Sequence, residues 1–511
     1  AFNLTVESLY ITQSVQKPNG AIPLVAGRDG YLRVFAVANN INDVRVPLEV
    51  SLYHEEDLKN TWTIRGPAAI PRDIVEGNLS TSWNLLVPGE LIQPGLRIEI
   101  AIDPEEEVRE GDESDNRLPE GFAVFDVRRL PPLEIVLVPI KQPDGTVGNV
   151  TDANAHEYLR DLERMFPVHE IDVRVREPVL AGSQLRPDGG WESMLEQLAA
   201  IRRSEGATNA YYYGVAALDY EDSIQGIAFI AGKSGLGNDF LDDRNLNASM
   251  TLAHEMGHSM GRLHSFCGAV RAFDNNYPHA NGQIGSFGLD VNTEKVYQPT
   301  TKDLMGYCAD RWIGDYTYEK ILQFRLDDEA TSGDPERVLI VWGGIGADGL
   351  TLEPAFESEA APALPEVVGP YHLEGFDASG VRLFSIPFRP TPIADGAPGN
   401  GAFAFALPMR LVQPERLAEL RISGLGMESR NVAPRMPGVS EPAITTERKG
   451  DRVIVRWDAQ AHPLLVLRNP QSGRIVSLLR GGSAELPYDG RALEVTPSDG
   501  VRSHRPAAII R

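Results

Sequence analysis

Residues 247–264 read NASMTLAHEMGHSMGRLH, and the chemistry of the chain turns on how this stretch folds. Its pattern predicts a helix up to about Met260, capped at its start by Asn247 or Ser249. On a helix, His254 and His258 stand one turn apart on the same face, so both imidazoles can reach a single cation. Glu255 directly follows the first of them. A carboxylate there can accept a proton from a water attacking a carbonyl and later deliver it to the leaving amine. A third imidazole, His264, comes six residues after His258. A straight helix cannot bring it to the same cation, but Gly261 between them permits the positive backbone angle of a sharp turn. Three nitrogens with one position left open are the arrangement expected of catalytic rather than structural zinc.

The two histidines and the glutamate alone arise by chance in roughly one or two of a hundred chains of this size, whereas the full pattern has a chance expectation on the order of one in ten thousand. Surface histidines on an amphipathic helix are the plain alternative. The run resembles the signature of the metzincin metallopeptidases, H-E-x-x-H-x-x-G-x-x-H, at every fixed position: His254, Glu255, His258, Gly261 and His264. The resemblance implies a Zn2+-dependent endopeptidase with the three histidines as ligands and Glu255 as general base. A second landmark of that family, a methionine turn beneath the zinc site, is offered by Met305 in TKDLMGYC.

The resemblance also implies a role for Tyr307. In the astacin and serralysin branches a tyrosine at this offset from the methionine approaches the zinc and steadies the oxyanion. A packed tyrosine bonded to nearby backbone is the other possibility. Ser265, after the third histidine, is instead similar to the matrix metallopeptidases, so the branch stays open. If the zinc helix and the methionine turn converge as in the family, Cys267 and Cys308 come together, and a disulfide would close a loop of about 40 residues. Two buried free thiols are the alternative, and an oxidised pair would support an extracellular address.

Upstream of the histidines, Gln225 to Ala231 reads as a short apolar strand between glycines. At a sheet edge it would leave backbone groups free to pair with an extended peptide, which makes Gly226, Ile227 and Ala228 candidate substrate-binding residues; a plain core strand is equally compatible. Further back, Leu133 to Ile140 reads as a buried strand, Ala153 to Met165 as a helix, Ile171 to Val179 as a strand, Gly190 to Arg203 as a helix and Tyr211 to Leu218 as a strand. This alternation predicts an α/β (α+β) catalytic domain over residues 131–332. Tyr211, Tyr212 and Tyr213 alternate across their strand and read as core and rim. Tyr316 to Arg325 reads as the helix that packs behind the methionine turn, and His279, in the Gly- and Asn-rich loop before it, as a surface histidine.

The flanks are of another texture. Tyr31 to Val37, Pro47 to Tyr53 and Leu96 to Ile102 alternate apolar and polar residues between Gly, Pro and Asn turns, which predicts an all-β sandwich over 1–130, similar at its end to immunoglobulin-like adhesion modules of bacterial surface proteins. Val338 to Trp342, His372 to Phe376, Val381 to Ile386 and Phe403 to Leu407 predict a second sandwich over 333–433. A turn-rich link from Asn431 to Glu441 leads to a small β domain over 434–511, with strands at Arg452 to Trp457, Pro463 to Leu467 and Arg474 to Leu479. The chain is therefore expected to be multidomain, an α/β unit flanked by all-β domains. Calcium is the second ion to weigh, but the acidic loop DPEEEVREGDESD and the set Glu170, Asp239, Asp242 and Asp243 lack ordered ligand spacing, and none is assigned.

Composition narrows the partners. The 511 residues are too many for one core, and 42% hydrophobic with 23% charged is ordinary for a folded chain. With 72 acidic against 48 basic residues the formal charge is −24, a field that repels phosphate backbones, so nucleic acid is excluded as a partner. No apolar run is long enough to span a bilayer, and Ala1-Phe2-Asn3-Leu4 lacks the features of a signal peptide, consistent with a mature or engineered start. The expectation is a secreted, monomeric zinc endopeptidase acting on protein or glycoprotein. The glycoprotein form rests on a domain arrangement similar to that of bacterial metzincins acting on mucin-type substrates. The rival from another class is an adhesion or carbohydrate-binding protein with an inactive peptidase domain.

Overall fold

The computed structural model describes residues 2–510 apart from 222, 243–246, 269–271, 329–332, 348, 435–442 and 507. Asp243 and most of the expected link from Asn431 to Glu441 therefore lie outside the described residues. The chain is mostly β, with many separate sheets, and divides into two compact units. One comprises residues 1–133, 159–172 and 262–328, the other 134–158, 173–261 and 329–511.

In the first unit, the strands Leu4–Thr12, Gly30–Ala38 and Trp83–Val87 form one antiparallel sheet, and Asp57–Arg65, Pro47–His54, Leu96–Ile102 and Ala123–Val124 another. Period-two alternation decides what they bury: Leu48, Val50 and Leu52, with Leu96, Ile98 and Ile100, share a core with Leu32, Val34 and Trp83. The Trp83 indole N–H inside that core donates to Val46 O at 3.1 Å. Residues 262–328 of the same unit are tied to it by polar bonds. Trp312 donates its indole N–H to Ser14 O at 2.9 Å, and Arg325, on the helix Asp315–Asp327, donates to Pro167 O at 2.6 Å and Pro131 O at 2.7 Å.

The second unit is built on a sheet in the order Ile171–Val175, Leu133–Lys141, Tyr211–Ala216, Ser234–Asn238, Gly226–Ala228. Leu133–Lys141, Tyr211–Ala216 and Ser234–Asn238 run parallel, and Gly226–Ala228 returns antiparallel at the end of the order. Tyr211, Tyr212 and Tyr213 are all buried, so none of them forms an exposed rim. The helix Trp191–Ser204 packs Leu195, Leu198 and Ile201 against Val138, Tyr212 and Leu236, and shares that core with Val338, Ile340 and Trp342. Those three alternate along the strand Glu336–Gly346 with Leu339, Val341 and Ile345, which face a second core with Leu373, Phe388 and Phe405. One strand thus seals two cores. A last core, around Val455, Leu465, Leu467 and Val495, closes the C-terminal strands.

Candidate metal centre

The helix Ala248–Ser259 begins where Asn247 accepts the Met250 N–H at 2.9 Å, so Asn247 rather than Ser249 is the cap. It lies on a floor of glycine. Gly226 and Gly237 are direct partners in adjacent antiparallel strands. A Cβ on Gly226 would stand 2.5 Å from Glu255 Oε1 and 2.8 Å from Thr251 Cγ2, and one on Gly237 would stand 2.2 Å from Tyr213 Oη. The absent side chains let the helix settle close to the sheet and seat Glu255 against it. Asn238 completes the joint, its amide donating to Thr251 Oγ1 at 3.1 Å.

On the helix, the Nε2 atoms of His254 and His258 come to 3.1 Å, with the rings edge to face. Two ligands on a tetrahedral ion with bonds of 2.0–2.1 Å would be about 3.3 Å apart, so this pair is spaced for a shared cation. The group they belong to is His254, His258, His264 and Asp395, whose ligand atoms all lie within 4.8 Å of one another. The three imidazoles are buried and the Asp395 side chain is only 9% exposed. Asp395 Oδ2 stands 3.4 Å from His258 Nε2 and 3.9 Å from His254 Nε2. Three imidazole nitrogens and a carboxylate in a buried setting fit a divalent transition metal, and this cluster can hold one. Burial, reinforced by the Asp395 carboxylate, pushes the Glu255 carboxyl well above its usual range; a cation in the cluster would act in the opposite direction. Glu255 Oε2 is buried with no hydrogen-bond partner among the described residues.

Gly261 takes φ +79°, the left-handed value that ends the helix and turns the chain toward His264. Beyond it, Ser265 N–H donates to Met305 O at 3.1 Å and Tyr307 N–H to Cys267 O at 2.9 Å, so the Met305 turn lies against the segment carrying the third histidine. Gly306 makes this approach possible, since a Cβ there would meet Cys267 Cβ at 2.9 Å. The turn is braced by fully buried Asp303, which accepts from Met305 N at 2.9 Å and Gly314 N at 2.8 Å. The Tyr307 ring is 5.2 Å from that of His264 and 39% exposed.

Cys267 and Cys308 form a disulfide, with Cα atoms 5.6 Å apart and 41 residues of sequence separation. Closing a loop of that length restricts the unfolded chain by about 4 kcal/mol in the chain-entropy model. Replacing both cysteines by serine is therefore expected to lower unfolding stability by roughly 2–4 kcal/mol. Denaturant titration under oxidising conditions reads this directly, and a midpoint equal to that of the native chain would refute it.

The strand Gly226–Ala228 is buried throughout and ends its sheet, as expected of an edge, but its outer side is not open. Ala394 N–H donates to Ala228 O at 2.8 Å, Ile230 N–H donates to Pro392 O at 2.9 Å, and Phe229 bridges Ile393 antiparallel. His279 takes no part in the cluster. It is not a simple surface histidine either, for its Nε2 stands 2.6 Å from Asp315 Oδ1 with the side chain 28% exposed. Among the described residues, Glu170, Asp239 and Asp242 belong to no metal-holding group. Asp395 is the member that sequence reasoning did not find. It sits in PIADGAPGN, far downstream in a β segment, with no spacing that relates it to the histidines.

No family model matches the chain, and no curated protein matches it. Among solved structures, one chain of a chaperone–substrate complex is 12% identical with a TM-score of 0.21, covering 48% of this chain and 39% of its own. A β-glucuronidase of Parabacteroides merdae is 12% identical with a TM-score of 0.15, covering 99% of this chain and 77% of its own. A β-glycosidase of Bacteroides vulgatus is 9% identical with a TM-score of 0.13, covering 98% and 79%. This chain thus spans well under half of the first of these, and likenesses at such scores carry no argument about fold or function.

Proposed function

We propose that the chain is a zinc-dependent endopeptidase of the metzincin type, in which His254, His258 and His264 hold the metal and Glu255 is the general base. The observation that carries this reading is the buried convergence of the three imidazoles, with a carboxylate seated beside them on a glycine floor. Bound zinc would polarise the scissile carbonyl and acidify the attacking water. Glu255 takes the proton of that water and returns it to the leaving amine. Tyr307, half-exposed beside His264, donates its hydroxyl to the negative charge developing on the carbonyl oxygen. An extended peptide would align by pairing with the edge of Gly226–Ala228 in place of residues 392–394, which cover its outer side. The disulfide fits an oxidising compartment, and we place the enzyme outside the cell.

Elemental analysis and cut-site mapping on a proteome and a mucin test the assignment together. The expected result is about one zinc per chain, with cleavage lost on chelation and restored by zinc. Cleavage indifferent to chelation, or a His258→Ala chain that keeps its full zinc content, would sink it. Deglycosylating the mucin shows in the same experiment whether glycans guide the cut.

A further inference from the structure

The metal cluster contains one ligand more than a hydrolytic site needs, and the extra one arrives by a route that bears on how the site is used. Residues 391–395 leave the hairpin in which Thr391 and Pro392 pair with Ala402 and Gly401. They then run antiparallel beside residues 228–230, through the Pro392, Ile393 and Ala394 backbone contacts already described. This is the outer side of the last strand in the sheet, the edge that would receive a substrate strand. The strand is fixed to the histidine helix as well, because Ala231 N–H donates to His258 O at 3.0 Å. Register then decides what comes next: the residue after Ala394 is Asp395, and its carboxylate reaches the imidazoles of His254 and His258.

The turn that follows is latched. Glu192, in the first turn of the helix Trp191–Ser204, accepts the Ala397 N–H at 2.9 Å and the Asn400 amide at 2.7 Å. Gly396 allows that approach, as a Cβ there would meet Glu192 Oε1 at 2.8 Å. Backbone pairing, an acidic ligand and an anchored turn therefore act on one short segment.

We infer that Asp395 is a fourth protein ligand of the metal, and that residues 391–395 occupy the substrate edge, so that this arrangement is a latent form which becomes active when the segment withdraws. The inference rests on the peptidase assignment for its second half but not for its first. Three imidazoles together with an aspartate leave a four-coordinate ion no open position, whereas the imidazoles alone leave one. Substrate must displace the segment both from the edge and from the metal, and apparent activity is reduced by the fraction of molecules in which it is withdrawn.

The test uses the full chain loaded with cobalt(II) or zinc, as the native protein, Asp395→Ala and the isosteric Asp395→Asn. With cobalt, the visible spectrum is expected to change in both variants, and acetohydroxamate is expected to bind them about tenfold or more tighter, because a position has opened. Zinc affinity measured by chelator competition is expected to fall by about 100-fold or more in Asp395→Ala, at or beyond the loss seen when only an outer partner is removed. Peptide cleavage is expected to rise about tenfold or more in both variants. An unchanged cobalt spectrum with unchanged hydroxamate affinity would overturn the ligand assignment. Cleavage that falls in both variants while the spectrum changes would overturn latency. A changed spectrum with no cleavage by any of the three chains supports the ligand and overturns the peptidase assignment instead.

Discussion

Replacing Glu255 by glutamine is expected to lower kcat for peptide hydrolysis by about 10²- to 10⁴-fold, the range that general acid–base groups contribute, while zinc content stays unchanged. The two outcomes separate because, in the proposed mechanism, the residue touches the chemistry without holding the ion. His254, His258, His264 and Asp395 make up the metal-holding group, and Glu255 is not in it. Glutamine has the shape of glutamate, so the floor formed by Gly226 still accepts it. Oε2 lacks a hydrogen-bond partner among the described residues, so no visible network is broken when that atom becomes an amide. What disappears is the proton acceptor. The comparison belongs in the native chain and again in Asp395→Ala, so that a bound segment does not mask the chemical step. Turnover within about twofold of the parent in both backgrounds would rule out Glu255 as the base.

Much of the arrangement was legible in the sequence because each legible element is governed by local rules. The helix Ala248–Ser259 starts at an asparagine cap and ends at a glycine with φ +79°, both visible as letters. Leu133–Lys141 declares itself by the apolar run from Ile135 to Ile140, and Pro47–His54 by alternation. The pairing of Cys267 with Cys308 is not local, and was expected only through the family resemblance, which sets the zinc helix beside the methionine turn. Ser234–Asn238 was not legible, and the reason is physical. Its sequence SGLGN carries two glycines, a composition depleted in strands, yet Gly237 is what admits Tyr213 Oη and helps the histidine helix come close. A residue chosen for what it must not touch gives no strand signal.

Asp395 was illegible for a different reason. Metal ligands announce themselves when spacing on one helix places them together, as with His254 and His258. A candidate ligand delivered by strand pairing from a remote hairpin has no such period, and its position is set by the antiparallel register of residues 392–394 against 228–230. The same register covers Ala228 at the end of the last strand of its sheet, while Gly226 is buried beneath Glu255 and Thr251 of the helix.

The glycine floor gives the second large effect: Gly226→Ala is expected to lower kcat by about 10²-fold with only a modest loss of stability, since a misplacement of about 1 Å at a catalytic group can cost that much. The new Cβ would sit 2.5 Å from Glu255 Oε1, which is the far end of a flexible side chain and can move. Its other close neighbour, Thr251 Cγ2 at 2.8 Å, is also a side-chain atom, so the fold can relax at a cost of about 1–3 kcal/mol, the usual range for overpacking. The carboxylate therefore yields rather than the backbone. Gly237→Ala is the informative control. Its Cβ would meet Tyr213 Oη at 2.2 Å, and that ring is rigid and buried, so the strain cannot be shed by rotating a side-chain tip. The control should lose more stability than Gly226→Ala. Steady-state kinetics beside denaturant titration decides the matter: Gly226→Ala with kcat intact, or with kcat and stability falling only in step, would show that Glu255 is not positioned by the glycine beneath it.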